Sequence, residues 1–136
     1  MKASLQAGVS ASSTFGVDRE RTIDFMGERA RVYATPMLVR DLEIACRNLL
    51  LEHLDPGEDS VGTRVEVDHL AATLLGQQVT LAVRVAEVKG RLITFEVSGN
   101  DGVDDICRGR HTRFVVDVKT TEQRLAAKAA KAGLAP

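Results

Sequence analysis

The spacing of apolar residues changes once along this 136-residue chain, and that change restricts the fold more than any other feature. From residue 35 to about residue 53 the apolar side chains recur at the spacing of an α-helix. From residue 61 onward they alternate with polar ones, which is typical of strands buried on one face. The alternating segments are 61–72, 78–88, 91–99 and 105–118. The pattern predicts one long helix followed by several long strands.

Short turn signals join the alternating segments and predict antiparallel neighbours. Lys89 and Gly90 separate the second segment from the third, and the run 99–102, GNDG, separates the third from the fourth. A sheet made of these strands buries its apolar face and the helix together if it curls around the helix. We therefore expect an α+β fold in which a curved antiparallel β-sheet wraps a long central helix.

The predicted helix is apolar on two sides and has signals at both ends. At about 100° per residue, two apolar stripes lie on opposite sides: Leu38, Leu42, Ala45 and Leu49 on one, and Met37, Ile44 and Leu51 on the other. Thr35 fits the N-cap, Pro36 fits the first helical position, and the run 55–57, DPG, follows the end. A helix that is apolar on two sides is expected to be covered on both.

The length of the chain indicates one domain, and we divide the whole chain into three parts. A chain of 136 residues buries a single core of ordinary size. Residues 1–12 are small and polar and are interpreted as a flexible N-terminal arm. Residues 13–119 form the predicted domain, with a short first strand at 13–17 and a charged loop at 18–32. Residues 120–136 are rich in Ala and Lys and form a C-terminal tail, either helical or frayed.

Composition argues against several classes of function. The formal charge is -1 and only five residues are aromatic, so the basic face and stacking platforms of a nucleic-acid binder are missing from the sequence. Cys46 and Cys107 do not stand in a metal-binding spacing, and we expect neither a metal nor a redox cofactor. No window approaches about eighteen apolar residues, so we expect no membrane association and a cytoplasmic location.

Three polar residues stand out from these patterns. Thr35 lies at the helix N-terminus, where free N–H groups favour negative charge. Glu43 lies at the edge of the first apolar stripe, and His69 faces inward from the first long strand toward the helix. Each has a structural explanation as well: Thr35 as a cap, Glu43 as a surface ion pair with Arg47, and His69 as a core histidine. Together, however, they supply a nucleophile or water-holder, an orienting carboxylate and a general base, which acyl transfer or hydrolysis needs.

Three blocks of the sequence resemble one known family. They are VYATPMLVRDLEIAC from residue 32, LDPGEDSVGTRVEVDHLAATLLG from residue 54, and NDGVDDICRGRHTR from residue 100. In order and spacing they are similar to the fluoroacetyl-CoA thioesterase group of the hotdog-fold superfamily. The resemblance implies a hotdog fold, homodimers and active sites at the subunit interface. It identifies five residues: Thr35, Glu43 and His69 as the catalytic group, Gly62 as lining the acyl pocket, and Arg113 as suited to the CoA portion.

The resemblance implies hydrolysis of a small acyl-CoA to the free acid and CoA. His69 acts as general base, Glu43 orients it, and either Thr35 or water attacks the thioester carbon. N–H groups at the helix start hold the developing oxyanion. The alternatives are a hotdog 3-hydroxyacyl-thioester dehydratase or hydratase and a non-catalytic acyl-CoA binding protein. One stretch differs from the family: GERAR at 27–31 stands where the fluoroacetate-specific enzyme carries aromatic residues of a lid.

Overall fold

One long helix lies against a curved antiparallel sheet, and a second helix follows the last strand, in a computed structural model that describes residues 1–134. Helix α1 spans Thr35–Leu51 and helix α2 spans Val118–Lys131. The strands are β1 Ser10–Gly16, β2 Thr22–Ile23, β3 Val32–Tyr33, β4 Glu58–His69, β5 Gln78–Lys89, β6 Leu92–Asn100 and β7 Asp105–Asp117. None of the helices within residues 1–134 has the length and apolarity needed to cross a membrane.

The main sheet contains five strands in the order β1-β5-β6-β7-β4, and every neighbouring pair is antiparallel. Strands β1 and β4 are its edges, and β2 and β3 pair separately. The predicted strand segments are β4 to β7, with ends shifted by at most three residues. The α+β fold class is confirmed, because turns of a few residues join β5, β6 and β7 and force them to run antiparallel.

One face of α1 forms the core together with the sheet. Leu38, Leu42 and Leu49 of the first predicted stripe are buried, as are Cys46 and Leu50 beside them. They belong to one buried cluster with the inward-facing residues of β5 and β6. The apolar residues that alternate along the strands and those that recur along the helix therefore form a single buried layer.

The second apolar side of α1 is only partly covered in the single chain, so the expectation of a helix covered on both sides is wrong at this level. Ile44 is 47% exposed. Met37 of the same stripe packs against the core, whereas Ile44 lines a groove of about 450 Å³ between α1 and the edge strand β1. A five-stranded sheet cannot close around a helix without more strands.

The helix begins one residue earlier than the capping pattern predicts. Thr35 is the first helical residue, Ala34 is the cap, and no side chain caps the helix start. The Thr35 hydroxyl therefore does not act as an N-cap, and it is available for another partner. At the other end, α1 stops at Leu51 and not at His53.

The two ends of the chain are more ordered than the sequence suggests. Leu5 is buried in the core cluster, and the Met1 amino group pairs with the carboxylates of Asp55 and Glu58. Strand β1 begins at Ser10, inside the predicted arm, because its residues from Ser10 onward pair with β5. Helix α2 accounts for most of the predicted tail, whose residues 135 and 136 lie outside the described residues. The division into arm, domain and tail stays a prediction.

A bulge in β4 sets which of its residues face the helix. Thr63 is the extra residue between two stretches of regular pairing with β7. Before the bulge, Val61 lies opposite Phe114 and both are exposed. After it, His69 lies opposite the buried Cys107, so it faces inward as predicted. Unbroken alternation from residue 61 would place Val61 on the same face as His69, but one extra residue reverses the alternation.

Replacing Leu42 with Ala is expected to lower the free energy of unfolding by about 2–5 kcal/mol, the usual cost of a cavity at a fully buried leucine. Leu125→Ala on α2 is the matched control, because Leu125 is 60% exposed, and it should change stability by less than about 0.5 kcal/mol. Urea denaturation followed by circular dichroism measures both. Equal losses in the two variants would contradict the core described above.

Candidate active site

Thr35 and His69 meet at the start of α1. The Oγ1 atom of Thr35 lies 2.8 Å from Nδ1 of His69, a hydrogen bond between the first residue of α1 and the last residue of β4. With its proton on Nε2, the imidazole accepts the hydroxyl proton of Thr35 at Nδ1. This is the geometry of a hydroxyl and its general base.

The surroundings of His69 keep its imidazole neutral. Burial lowers the pKa of His69, so the ring is in its basic form at neutral pH. The Nε2 atom is buried and has no hydrogen-bond partner among residues 1–134. The edge of the Tyr33 ring packs against the imidazole, with 6.3 Å between ring centroids and 81° between planes. The ring is thus held by one hydrogen bond and by packing.

The start of α1 has fewer free N–H groups than an ordinary helix. Pro36 has no N–H, and the N–H groups of Met37 and Leu38 both bond to the carbonyl of Ala34. Thr35 keeps the N–H that an oxyanion could use, next to its own hydroxyl. The predicted set of oxyanion donors at the helix start is therefore reduced to this single group within the described part of the chain.

Glu43 takes a different partner from the one the helical spacing suggests. Its Oε1 atom accepts a hydrogen bond from Nη1 of Arg113 at 3.1 Å. Arg47 instead forms two hydrogen bonds with Asp59 on β4, at 2.9 and 2.7 Å. The ion pair between Glu43 and Arg47 considered from the sequence is therefore wrong, because strand β4 brings a better-placed carboxylate to Arg47.

Gly62 leaves room for the Glu43 carboxylate beside β4. A Cβ atom on Gly62 would lie 2.7 Å from Oε1 of Glu43 and 3.2 Å from Cε1 of His111. Real Cβ atoms do not approach an oxygen that closely, so only glycine allows Glu43 to lie against β4 at this point. The structure therefore brings together Gly62, Glu43 and Arg113, three of the five residues singled out from the sequence.

Arg113 is buried and is almost fully engaged within the chain. It is 3% exposed. It donates to the hydroxyl and the carbonyl of Ser60, to Glu43 and to Nε2 of His111. Four of the five N–H groups of the guanidinium are thereby used, which leaves little for a phosphate. The predicted role toward CoA stays a prediction, and the contacts themselves hold Glu43.

His111 is a site residue that the sequence analysis missed. Its Nδ1 donates to the carbonyl of Arg64 at 2.8 Å, which leaves Nε2 free to accept from Arg113 at 3.1 Å. Burial and then the charge of Arg113 lower the pKa of His111, so it stays neutral. Its position two residues before Arg113, on the same face of β7, is the signal that could have found it.

The five predicted residues form two groups within one chain. Thr35 and His69 make one, and Gly62, Glu43 and Arg113 make the other. Eight residues separate Thr35 from Glu43, which is about 12 Å along a helix. No hydrogen bond joins Glu43 to His69 in residues 1–134. The catalytic roles of all five residues therefore stay predictions.

Gly62→Ala is expected to lower kcat about tenfold or more for thioester hydrolysis, the activity that the resemblance implies. The added Cβ displaces the end of a flexible side chain, so the fold should survive while the Glu43 carboxylate moves. Gly16→Ala on the edge strand β1 is the control, because its Cβ meets only the end of Gln78 at 3.3 Å. Steady-state rates and melting temperatures of both variants test this, and wild-type kcat in Gly62→Ala would contradict it.

Comparison with known proteins identifies the family. A family model described as fluoroacetyl-CoA-specific thioesterase matches residues 17–119. A fluoroacetyl-CoA thioesterase from Streptantibioticus cattleyicolor is 34% identical over 126 residues, which cover 88% of this chain and 91% of that protein. A solved structure of a fluoroacetyl-CoA thioesterase, 31% identical, superposes with a TM-score of 0.83 over 91% of this chain and 97% of its own.

Two further solved structures share the architecture. A thioesterase superfamily member from Thermus thermophilus is 27% identical, with a TM-score of 0.87 over 95% of this chain and 96% of its own. A hot-dog-like protein from Thermanaerovibrio acidaminovorans, 24% identical, has a TM-score of 0.83 over 90% of this chain and 91% of its own. The predicted hotdog fold is thereby confirmed. The chain belongs to the family of fluoroacetyl-CoA-specific thioesterases.

Proposed function

We propose that this protein hydrolyses a small acyl-CoA to the free acid and CoA, with Thr35, Glu43 and His69 as its catalytic group. Family membership makes it a thioester hydrolase. The observation that carries the assignment to residues is the 2.8 Å hydrogen bond between the Thr35 hydroxyl and the His69 imidazole at a helix start. A variant of the related thioesterase, 33% identical with a TM-score of 0.79 over 86% of this chain and 99% of its own, was solved with fluoroacetate and CoA.

The proposed reaction uses His69 as a base and then as an acid. His69 accepts a proton at Nδ1 as the Thr35 oxygen, or a water held by it, forms a bond to the thioester carbon. The carbonyl oxygen becomes an oxyanion next to the N–H of Thr35. When the carbon–sulfur bond breaks, His69 returns the proton to the CoA sulfur. If Thr35 is acylated first, a water repeats the cycle and releases the acid.

We further propose a homodimer in which two copies complete each other's sites. Strand β4 is an edge strand whose side opposite β7 has no neighbouring strand in residues 1–134, and it carries both His69 and Gly62. If two copies pair antiparallel along β4 about a two-fold axis beside Val65, Gly62 of one copy comes to lie near His69 of the other. In that arrangement the Glu43 carboxylate that rests on Gly62 would approach the His69 pair, as the role proposed for Glu43 requires.

The acyl group is proposed to be small. The curated relative named above is a fluoroacetyl-CoA thioesterase, but GERAR at 27–31 stands where the family resemblance implies aromatic residues, so fluoroacetyl-CoA is one candidate beside acetyl-CoA. Release of free thiol from a panel of acyl-CoA esters identifies the preferred group. Hydration of crotonyl-CoA is the control for the hydratase alternative, and hydration without thiol release would overturn the proposed function. The cytoplasm as location stays a prediction.

His69→Ala is expected to lower kcat by roughly 10²–10⁴-fold, the usual contribution of a positioned general base. Glu43→Ala should also lower kcat, and the double variant should be little worse than His69→Ala, because residues that act together are not additive. Arg47→Ala is the matched control on the same helix, since Arg47 pairs with Asp59 and not with Glu43. Full turnover in Glu43→Ala, or losses that simply multiply in the double variant, would contradict the catalytic group.

Val65→Asp is expected to separate the homodimer and abolish hydrolysis. Val65 is an exposed apolar residue on the edge strand β4, and a two-fold axis beside it would bring two buried charges together. Val103→Asp is the control, because Val103 is 79% exposed in the turn between β6 and β7. Light scattering at micromolar concentration reports the mass. A fully active monomer, from the wild type or from Val65→Asp, would rule out the shared site.

A further inference from the structure

Asp41 is a buried carboxylate on α1 that the proposed reaction does not use. It is 7% exposed and lies on the buried face of the helix, one residue before Leu42. The Tyr33 hydroxyl donates to Oδ2 at 2.5 Å, and Arg21 donates through Nε to the same oxygen at 2.9 Å. Arg40 reaches Oδ1 at 3.2 Å. A carboxylate is costly to bury, so these partners must be held close to it.

Tyr33 connects Asp41 to the predicted catalytic pair. Its ring is 1% exposed and packs edge-on against the His69 imidazole. Along the chain it stands two residues before Thr35, and its N–H donates to the carbonyl of Thr73 in the loop that follows His69. A shift of the Tyr33 ring would therefore change the packing surface of His69, and the Tyr33 backbone leads directly into the start of α1. Tyr33 is the second residue of the block VYATPMLVRDLEIAC, and its hydroxyl is the part that reaches Asp41.

Arg21 connects Asp41 to the segment before the helix. Its guanidinium also pairs with Asp18 at 2.8 Å and lies over the Phe15 ring, 4.7 Å from the centroid. Its carbonyl accepts the N–H of Ala34, the cap of α1. Arg21 is thus fixed to α1 immediately next to Thr35. Arg21, Tyr33 and Asp41 are called the Asp41 cluster below.

We propose that the Asp41 cluster is a positioning network that holds the Thr35 hydroxyl and the His69 imidazole in reacting geometry. The inference rests on the proposed function of that pair. Asp41 fixes the Tyr33 hydroxyl, the Tyr33 ring limits the tilt of His69, and Arg21 fixes the backbone at Ala34. None of the three side chains is assigned contact with the reacting atoms. Their effect is on kcat, because a general base displaced by a fraction of an ångström still allows substrate binding.

Tyr33→Phe tests the network, because it removes only the hydroxyl and keeps the ring. It should lower kcat about tenfold with KM within about twofold of wild type. Asp41→Ala should give a similar loss, and the double variant should be no worse than Asp41→Ala, since the two side chains act through one contact. Arg19→Ala is the matched control, because Arg19 forms an exposed ion pair with Glu28 in the same segment. It should leave kcat unchanged.

Asp41→Asn keeps the experiment decisive if Asp41→Ala does not fold. The amide oxygen can still accept from the Tyr33 hydroxyl, so kcat should stay within about threefold of wild type. A purely structural role predicts lower melting temperatures with unchanged kcat well below them. That outcome, or independent losses in Tyr33→Phe and Asp41→Ala, would overturn the proposal.

Nitrogen NMR of the histidine rings tests the network without any substrate. The chain has three histidines, so His69 can be assigned by substitution. In wild type His69 should show a single neutral tautomer, and in Tyr33→Phe its two nitrogen shifts should move toward an average. His111, held by Arg64 and Arg113, should keep its tautomer in both. Unchanged His69 shifts would overturn the network, whereas a wild type that is inactive on every acyl-CoA would overturn the proposed function instead.

Discussion

The rest of the structure depends on the burial of one face of α1 against the sheet. Leu38, Leu42 and Leu49 interlock with the inward-facing residues of β5 and β6, so the helix can neither rotate nor slide without exposing them. At about 25 cal/mol per Å² of buried apolar surface, this layer is the largest stabilising term available to the domain. Because the helix is fixed in this way, the directions of its polar residues, Asp41 and Glu43, are fixed as well.

Burial then requires the charged side chains packed beside the helix to have partners. A buried group that loses its partner costs about 1–3 kcal/mol, and more if it is charged. Arg113 meets this requirement with Ser60, Glu43 and His111, and Asp41 meets it with Tyr33 and Arg21. The same contacts that avoid unpaired charges also hold the side chains that the proposed reaction needs. Stability and positioning are therefore served by one set of hydrogen bonds on each side of α1.

Much of the site could be predicted because the local patterns are strong. Capping signals place the helix start to within one residue, and periodicity gives the inward direction of His69. The structure joins Thr35 to His69 by a hydrogen bond. The partner of Glu43 could not be predicted in this way. Helical spacing favours Arg47, yet Arg47 bonds to Asp59, which is near in space only because β4 packs against α1. Spacing within one element gives candidate partners, and packing between elements selects among them.

The sequence by itself determined one long helix, four long strands, the antiparallel pairing of β5 with β6 and of β6 with β7, and the side of β4 that carries His69. These features depend on the periods of single elements, and each period is repeated over many residues. Only the tertiary structure decided that Thr63 forms a bulge, that Gly62 gives room to Glu43, and that Asp41 is buried with Tyr33. These features depend on sub-ångström distances between residues that can be far apart in the chain, and no local pattern in the sequence encodes such distances.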